Sequence, residues 1–131
     1  MNSKIMAIDY GEKRVGIAST DETGLFALPR AVWANDEALL DKVLKFKEEG
    51  GIEKIIIGES KNFEGVHNLI QEKIEKFKSE LEAHGVIVLF HPEILTTVES
   101  RQLQGQTSMT DASAAALILK SYIDTVYNED A

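Results

Sequence analysis

The sequence predicts an α/β fold: a mixed β-sheet with helices packed on its faces. Three observations predict it. Short apolar runs rich in β-branched residues recur at 5–9, 52–58 and 86–90, as expected of strands covered on both sides. Segments with apolar residues at helical spacing separate the later runs. The first run passes through a glycine turn into another apolar segment, which reads as a hairpin rather than a crossover. Three strands in meander, then helix, strand, helix, strand and helices, make the first, fourth and fifth strands the parallel ones.

The elements follow in order. Ile5 to Asp9 reads as a buried strand, Tyr10 to Lys13 as a turn and Arg14 to Ser19 as the second strand. Leu25 to Trp33 reads as a third strand; Pro29 cannot donate to a ladder, so this strand belongs at a sheet edge. Leu39, Leu40, Val43 and Leu44 form one helical stripe, which Gly50-Gly51 ends. Ile55-Ile56-Ile57 lies in the fourth strand, Ile52 to Gly58. Val66, Ile70, Ile74, Phe77 and Leu81 mark the second helix, and Gly85 stops it. Val86 to Phe90 is a fully apolar fifth strand. Thr96 with Glu99 fits a capping box for a short helix. Gly105 to Thr110 reads as a loop, and the last helix runs from about Asp111 to Val126, with Ala115, Ile118 or Leu119, Tyr122 and Val126 as its buried stripe.

A chain of 131 residues with 44% hydrophobic content is one domain's worth, 1–131, and can bury a core. No run is apolar enough for a membrane span, and MNSK enters a strand without an apolar leader, so a cytoplasmic protein with no membrane partner is expected. The absence of cysteine excludes disulfides and thiolate metal sites. The net charge of −8 opposes broad attraction to nucleic acid or anionic lipid.

The candidate chemistry lies in carboxylates at strand ends, because sites in such sheets form outside the carboxyl ends of parallel strands. Asp9 ends the first strand, Glu59 the fourth, and Glu93 follows the fifth. One turn back from Ala115 is Asp111, on the sheet side of the last helix at its start; Asp124 falls on the polar face. Such an oxygen-rich cluster suits Mg²⁺ or Mn²⁺, and two ions could clamp the attacking and leaving oxygens of a phosphodiester. The ions would also supply locally the positive charge the chain lacks.

Each of these residues has a structural reading beside the functional one. Asp9 could cap its own turn, since Asp-x-Gly is ordinary turn chemistry, although a carboxylate after a buried run is costly without a partner. Asp111 with Ser108 fits a capping box. Glu93 could be a favourable charge before a helix, and Glu59 a solvated loop residue. His67 and His84 read as surface residues, and His91 near the proposed site is a lone histidine. The Gly11–Gly16 spacing lacks the Lys-Ser or Lys-Thr of a phosphate loop.

MAIDYGEKRVGIA resembles the opening of the YqgF-type, RuvX-like family, described as Holliday-junction resolvases or pre-16S rRNA nucleases. Residues 58–65, 93–99 and 111–119 are similar, in order, to that family's later motifs. The resemblance implies an RNase H-like fold with strand order 3-2-1-4-5 and the second strand antiparallel. It also implies divalent-metal phosphodiester hydrolysis, with Asp9, Glu93 and Asp111 as the acidic set. Precursor rRNA or branched DNA would be the partner, together with ribosomal particles; the chain would act as a monomer or homodimer. Lys13, Arg14, Lys61 and Arg101 could meet the nucleic-acid backbone, while Arg14 could instead brace the hairpin. Thr96 and Thr97 could bond phosphate or simply cap.

Departures from the pattern matter. Pro92 stands where the family has Asp before the Glu, and Ile94 replaces its following Arg, removing a fork suited to phosphate. Glu59 stands where the family has Leu and could supplement or replace Glu93 as a metal ligand. Two rival functions follow: a catalytically degraded RNA- or ribosome-associated module of the same fold, and a sugar-kinase or actin-like ATPase. The latter would need a second domain.

Overall fold

A computed structural model describes residues 3–59, 69–92 and 110–129; the side chains of Glu59 and Asp111 lie outside the description. The element order is β1 (Ile5–Tyr10), β2 (Arg14–Thr20), β3 (Ala27–Ala34), α1 (Leu39–Gly50), β4 (Lys54–Glu59), α2 (Leu69–Ala83), β5 (Ile87–Pro92) and α3 (Thr110–Glu129). The strands form one five-stranded sheet in the order β3-β2-β1-β4-β5. β2 runs antiparallel to β1 and β3, while β4 is parallel to β1 and to β5. This is the expected sheet, including the edge position of β3 and its Pro29. A register irregularity falls at Ile17/Ala18, beside the proline.

Strand alternation divides the core into two layers. Met6, Ile8, Val15, Ile17, Ile55, Ile57 and Val88 pack under α1 and α2, against Leu39, Val43, Ile74, Phe77 and Leu81. Ile5, Ala7, Ala18 and Ile56 face α3, against Ala115, Ile118, Leu119 and Ile123. The Ile55-Ile56-Ile57 run is therefore buried on both faces, as its composition predicts.

Element ends differ from the sequence reading for local reasons. Ile52 belongs to a helix stop, not to β4: Gly51 takes φ +64°, and the Ile52 N–H donates to the Lys47 carbonyl at 3.0 Å. The same device closes α2, where Gly85 takes φ +82° and the Val86 N–H donates to the Leu81 carbonyl at 3.2 Å. β3 starts at Ala27 because Leu25 and Phe26 lie in a turn organised by Asp21. The Asp21 N–H donates to the Phe26 carbonyl, and its Oδ1 accepts from Thr23 Oγ1 at 2.7 Å. Thr110 is already helical.

On α3 the buried residues are Ala112, Ala114, Ala115, Ile118, Leu119 and Ile123. Tyr122 and Val126, expected on the stripe, are only half-buried. α3 packs mainly on β1, β2 and β3 and only lightly on β4 and β5. The fully apolar β5 thus leaves Ile87 59% and Leu89 38% exposed. Val66, Thr96, Thr97 and Glu99 lie outside the described residues.

Candidate active site

β1 delivers Asp9 to the carboxyl end of the parallel strands. Its alternation places Asp9 in the row of Ile5 and Ala7, on the α3 face. Asp9 is 6% exposed, a carboxylate at the rim of an apolar core layer. Desolvating such a group costs several kcal/mol in ionised form unless positive charge or donors meet it.

The neighbours of Asp9 across the sheet are glycines. On β2 its register partner is Gly16. On β4 the pair Ile8–Ile57 makes Gly58, not Glu59, the next residue level with Asp9. Gly58 in turn pairs with His91 of β5. The row is therefore Gly16, Asp9, Gly58, His91. Neither adjacent strand therefore places a side chain level with Asp9 on this face. Asp9 and His91 stand two strand spacings apart, about 10 Å. A buried carboxylate flanked on both strands by glycine is chemically suited to a hard divalent cation.

Sequence alone does not bring these glycines together in one row. The available signal was a glycine inside each of two apolar strands, which often marks a close approach by a ligand or another backbone. His91 closes the row. Its Nε2 shares a 2.9 Å hydrogen bond with Ser121 Oγ of α3, and its ring meets Tyr122 edge-on at 6.0 Å between centroids. Partial burial pushes its pKa below the ordinary imidazole value of 6.5, favouring the neutral ring.

The turn after Asp9, Gly11–Lys13, connects β1 to β2 and leads directly into Arg14; Lys13 and Arg14 are exposed. Gly11 is required sterically, since a Cβ there would collide with the Arg14 carbonyl oxygen. Arg14 also opens β2, in register with Ala34. On α2, Tyr10 stacks obliquely on Phe77 with centroids 5.4 Å apart, and Lys73 approaches Glu12 at 4.0 Å. The latter contact joins exposed groups and contributes little energy.

The other expected site residues are placed in part. Glu59 is the last residue of β4, opposite Pro92. Asp111 stands in the first turn of α3, one turn before the buried Ala115. Glu93, Lys61, Arg101 and His67 lie outside the described residues. Among the described residues, no group of three or more His, Cys, Asp or Glu side chains forms a metal cluster. Asp124 is exposed and pairs with Lys120 at 3.1 Å, and His84 is exposed, both as expected.

A family model described as "RuvX: Holliday junction resolvase" matches residues 3–125. The chain belongs to the RuvX family. A relative from Syntrophus aciditrophicus, named "Putative pre-16S rRNA nuclease", is 34% identical over 140 aligned positions, covering 96% of this chain and 91% of the relative. A relative of the same name from Chlorobium phaeobacteroides is 31% identical, covering 95% of this chain and 94% of its own length. Among solved structures, T. thermophilus RuvC in complex with Holliday junction substrate aligns with TM-score 0.62 at 15% identity, over 96% of both chains. The fowlpox virus Holliday junction resolvase aligns with TM-score 0.56 at 14% identity, over 94% of this chain and 99% of that one. These two structures share the fold of this RuvX chain, an RNase H-like sheet with helices on both faces.

Proposed function

We propose that this RuvX chain is a divalent-metal-dependent endonuclease acting on phosphodiester bonds of structured nucleic acid. Two roles fit its relatives: maturation of the 16S rRNA 5′ end and resolution of four-way DNA junctions. The observation that carries the reading is Asp9, a buried carboxylate at the carboxyl end of β1 with Gly16 and Gly58 on its flanks. The names of its relatives supply precursor 16S rRNA as one substrate class, and the description of its family supplies the Holliday junction as the other.

Asp9, Asp111 and either Glu93 or Glu59 are the carboxylates that would hold Mg²⁺ or Mn²⁺. Such ions would supply positive charge at the attacking and leaving oxygens of the phosphodiester. Asp9 fixes the position of the centre, because its strand is buried and cannot shift without unpacking both core layers. The glycine row keeps side chains out of the space that the scissile phosphate would fill. Lys13, on the turn just past Asp9, and Arg14, the first residue of β2, would bind the flanking backbone, joined by Lys61 and Arg101. His91, neutral and bonded to Ser121, bounds the far side of the row.

One substitution tests this. Asp9→Asn keeps the shape of the side chain and removes its charge. Mg²⁺- or Mn²⁺-dependent cleavage of a precursor 16S rRNA 5′ segment or a synthetic four-way junction should fall by more than the roughly 10–100-fold typical of changes to supporting groups around a metal. Activity that survives the change would place the site elsewhere.

A second reading is favoured by Ile94, which removes the arginine that the family pattern carries next to its Glu. In it the chain binds RNA or ribosomal particles without cutting. Tight binding of structured RNA with no cleavage under either metal would select it. The ATPase reading is set aside, because the RuvX match covers residues 3–125.

A further inference from the structure

The turn that follows Asp9 is tied at both ends by one residue from outside it. Asn35, half-buried just past the end of β3, donates from Nδ2 to the Gly11 carbonyl oxygen at 2.8 Å. Its backbone N–H donates to the Lys13 carbonyl oxygen at 2.9 Å. Gly11 and Lys13 are the first and last residues of the turn, so one residue, 24 positions from Gly11, ties both ends of it. Asparagine suits this task because its side-chain amide and its own backbone N–H are both donors.

We infer that Asn35 is a positioning residue for the nucleic-acid face of the Asp9 site, holding Lys13 and Arg14 where they meet the phosphate backbone. The inference rests on the nuclease reading above. In a chain of net charge −8, phosphate approach depends on the few cations beside the site. A carbonyl oxygen aimed at an incoming phosphate would oppose it; those of Gly11 and Lys13 are instead turned toward Asn35 and satisfied there. A turn already held in one shape also loses less freedom when substrate binds. The anchor itself is stiff. Asp36, the next residue, donates from its N–H to the Ala34 carbonyl at 3.1 Å and accepts at Oδ1 from the Ala38 N–H at 3.0 Å, locking the corner between β3 and α1.

The test compares Asn35→Ala with Asn35→Gln, which keeps an amide donor. Trypsin reads the clamp directly, because its cleavage sites include Lys13 and Arg14. In Asn35→Ala, cutting at these two residues should accelerate about fivefold, the factor carried by one lost hydrogen bond, while cutting at Lys54 and Lys120 in β4 and α3 stays unchanged. The Kd for a fluorescent four-way junction or structured RNA, measured in Ca²⁺, should rise by less, up to about twofold, because binding follows the fraction of turns still held, with kcat in Mg²⁺ little changed. Asn35→Gln should recover part of both effects. Added to the Lys13→Ala/Arg14→Ala double variant, Asn35→Ala should weaken binding no further. Unchanged trypsin cutting overturns the clamp. Faster cutting with unchanged Kd reduces Asn35 to a structural residue and overturns the positioning role. A wild-type chain that neither binds nor cuts nucleic acid overturns the nuclease reading and the positioning role together, and the trypsin result still reports separately on the clamp.

Discussion

At the residue scale, the proposed chemistry rests on Asp9 and its glycine neighbours. The carboxylate could be suspected from sequence, because an acidic residue after Ile5-Met6-Ala7-Ile8 has to be compensated. Gly16 and Gly58 could not be connected to it in the same way. They become its neighbours only through strand register, which joins positions far apart in the chain. His91 was legible as a histidine near a strand end, but not as the partner of Ser121 on α3. Its environment yields a pH prediction. The folded-state pKa lies below 6.5, so the fold binds its proton less readily than the unfolded chain does. His91 therefore costs nothing above pH 6.5, and stability falls as pH drops from about 6.5 through its folded-state pKa. An NMR titration of the His91 ring should give a midpoint below 6.5, and His91→Gln should flatten the stability loss over that window.

At the scale of elements, β4, like β1 and β2, contributes to both core layers. Ile56 is fully buried against α3, and Ile55 and Ile57 against the α1–α2 layer. Ile56→Ala should cost about 2–5 kcal/mol, read as a lower urea midpoint at unchanged slope. A loss near zero would mean that α3 does not rest on this strand. Helix identity was legible from spacing, and both glycine stops were placed correctly by sequence. The face of α3 was legible only in part. Ala115, Ile118 and Leu119 are buried as expected, but Ile123 takes the place assigned to Tyr122 and Val126. Tyr122 turns toward Lys54, whose Nζ lies 5.4 Å from its ring centroid, and toward His91. A helical stripe records which residues can be buried; where the helix crosses the sheet selects among them.

For the whole molecule, acidity and substrate have to be reconciled. The net charge of −8 leaves binding to a small set of cations. If Lys13, Arg14, Lys61 and Arg101 are those contacts, the slope of log K against log salt should be about −3 to −4, four phosphates' worth. Titrations of a labelled junction or RNA across salt concentrations would measure it, and a much steeper slope would mean a basic surface not identified in this chain. The sequence by itself determined the fold class, the strand order through the family resemblance, the burial of the isoleucine run and the suspicion attached to Asp9. These follow from local chemistry: periodicity, β-branching, glycine stops and the cost of burying charge. Only the tertiary structure decided what stands beside Asp9 and what holds the turn after it. Gly16, Gly58, His91 and Asn35 acquire their roles through register and through hydrogen bonds between distant segments. Such pairings are collective outcomes of packing, and no short stretch of sequence specifies them alone.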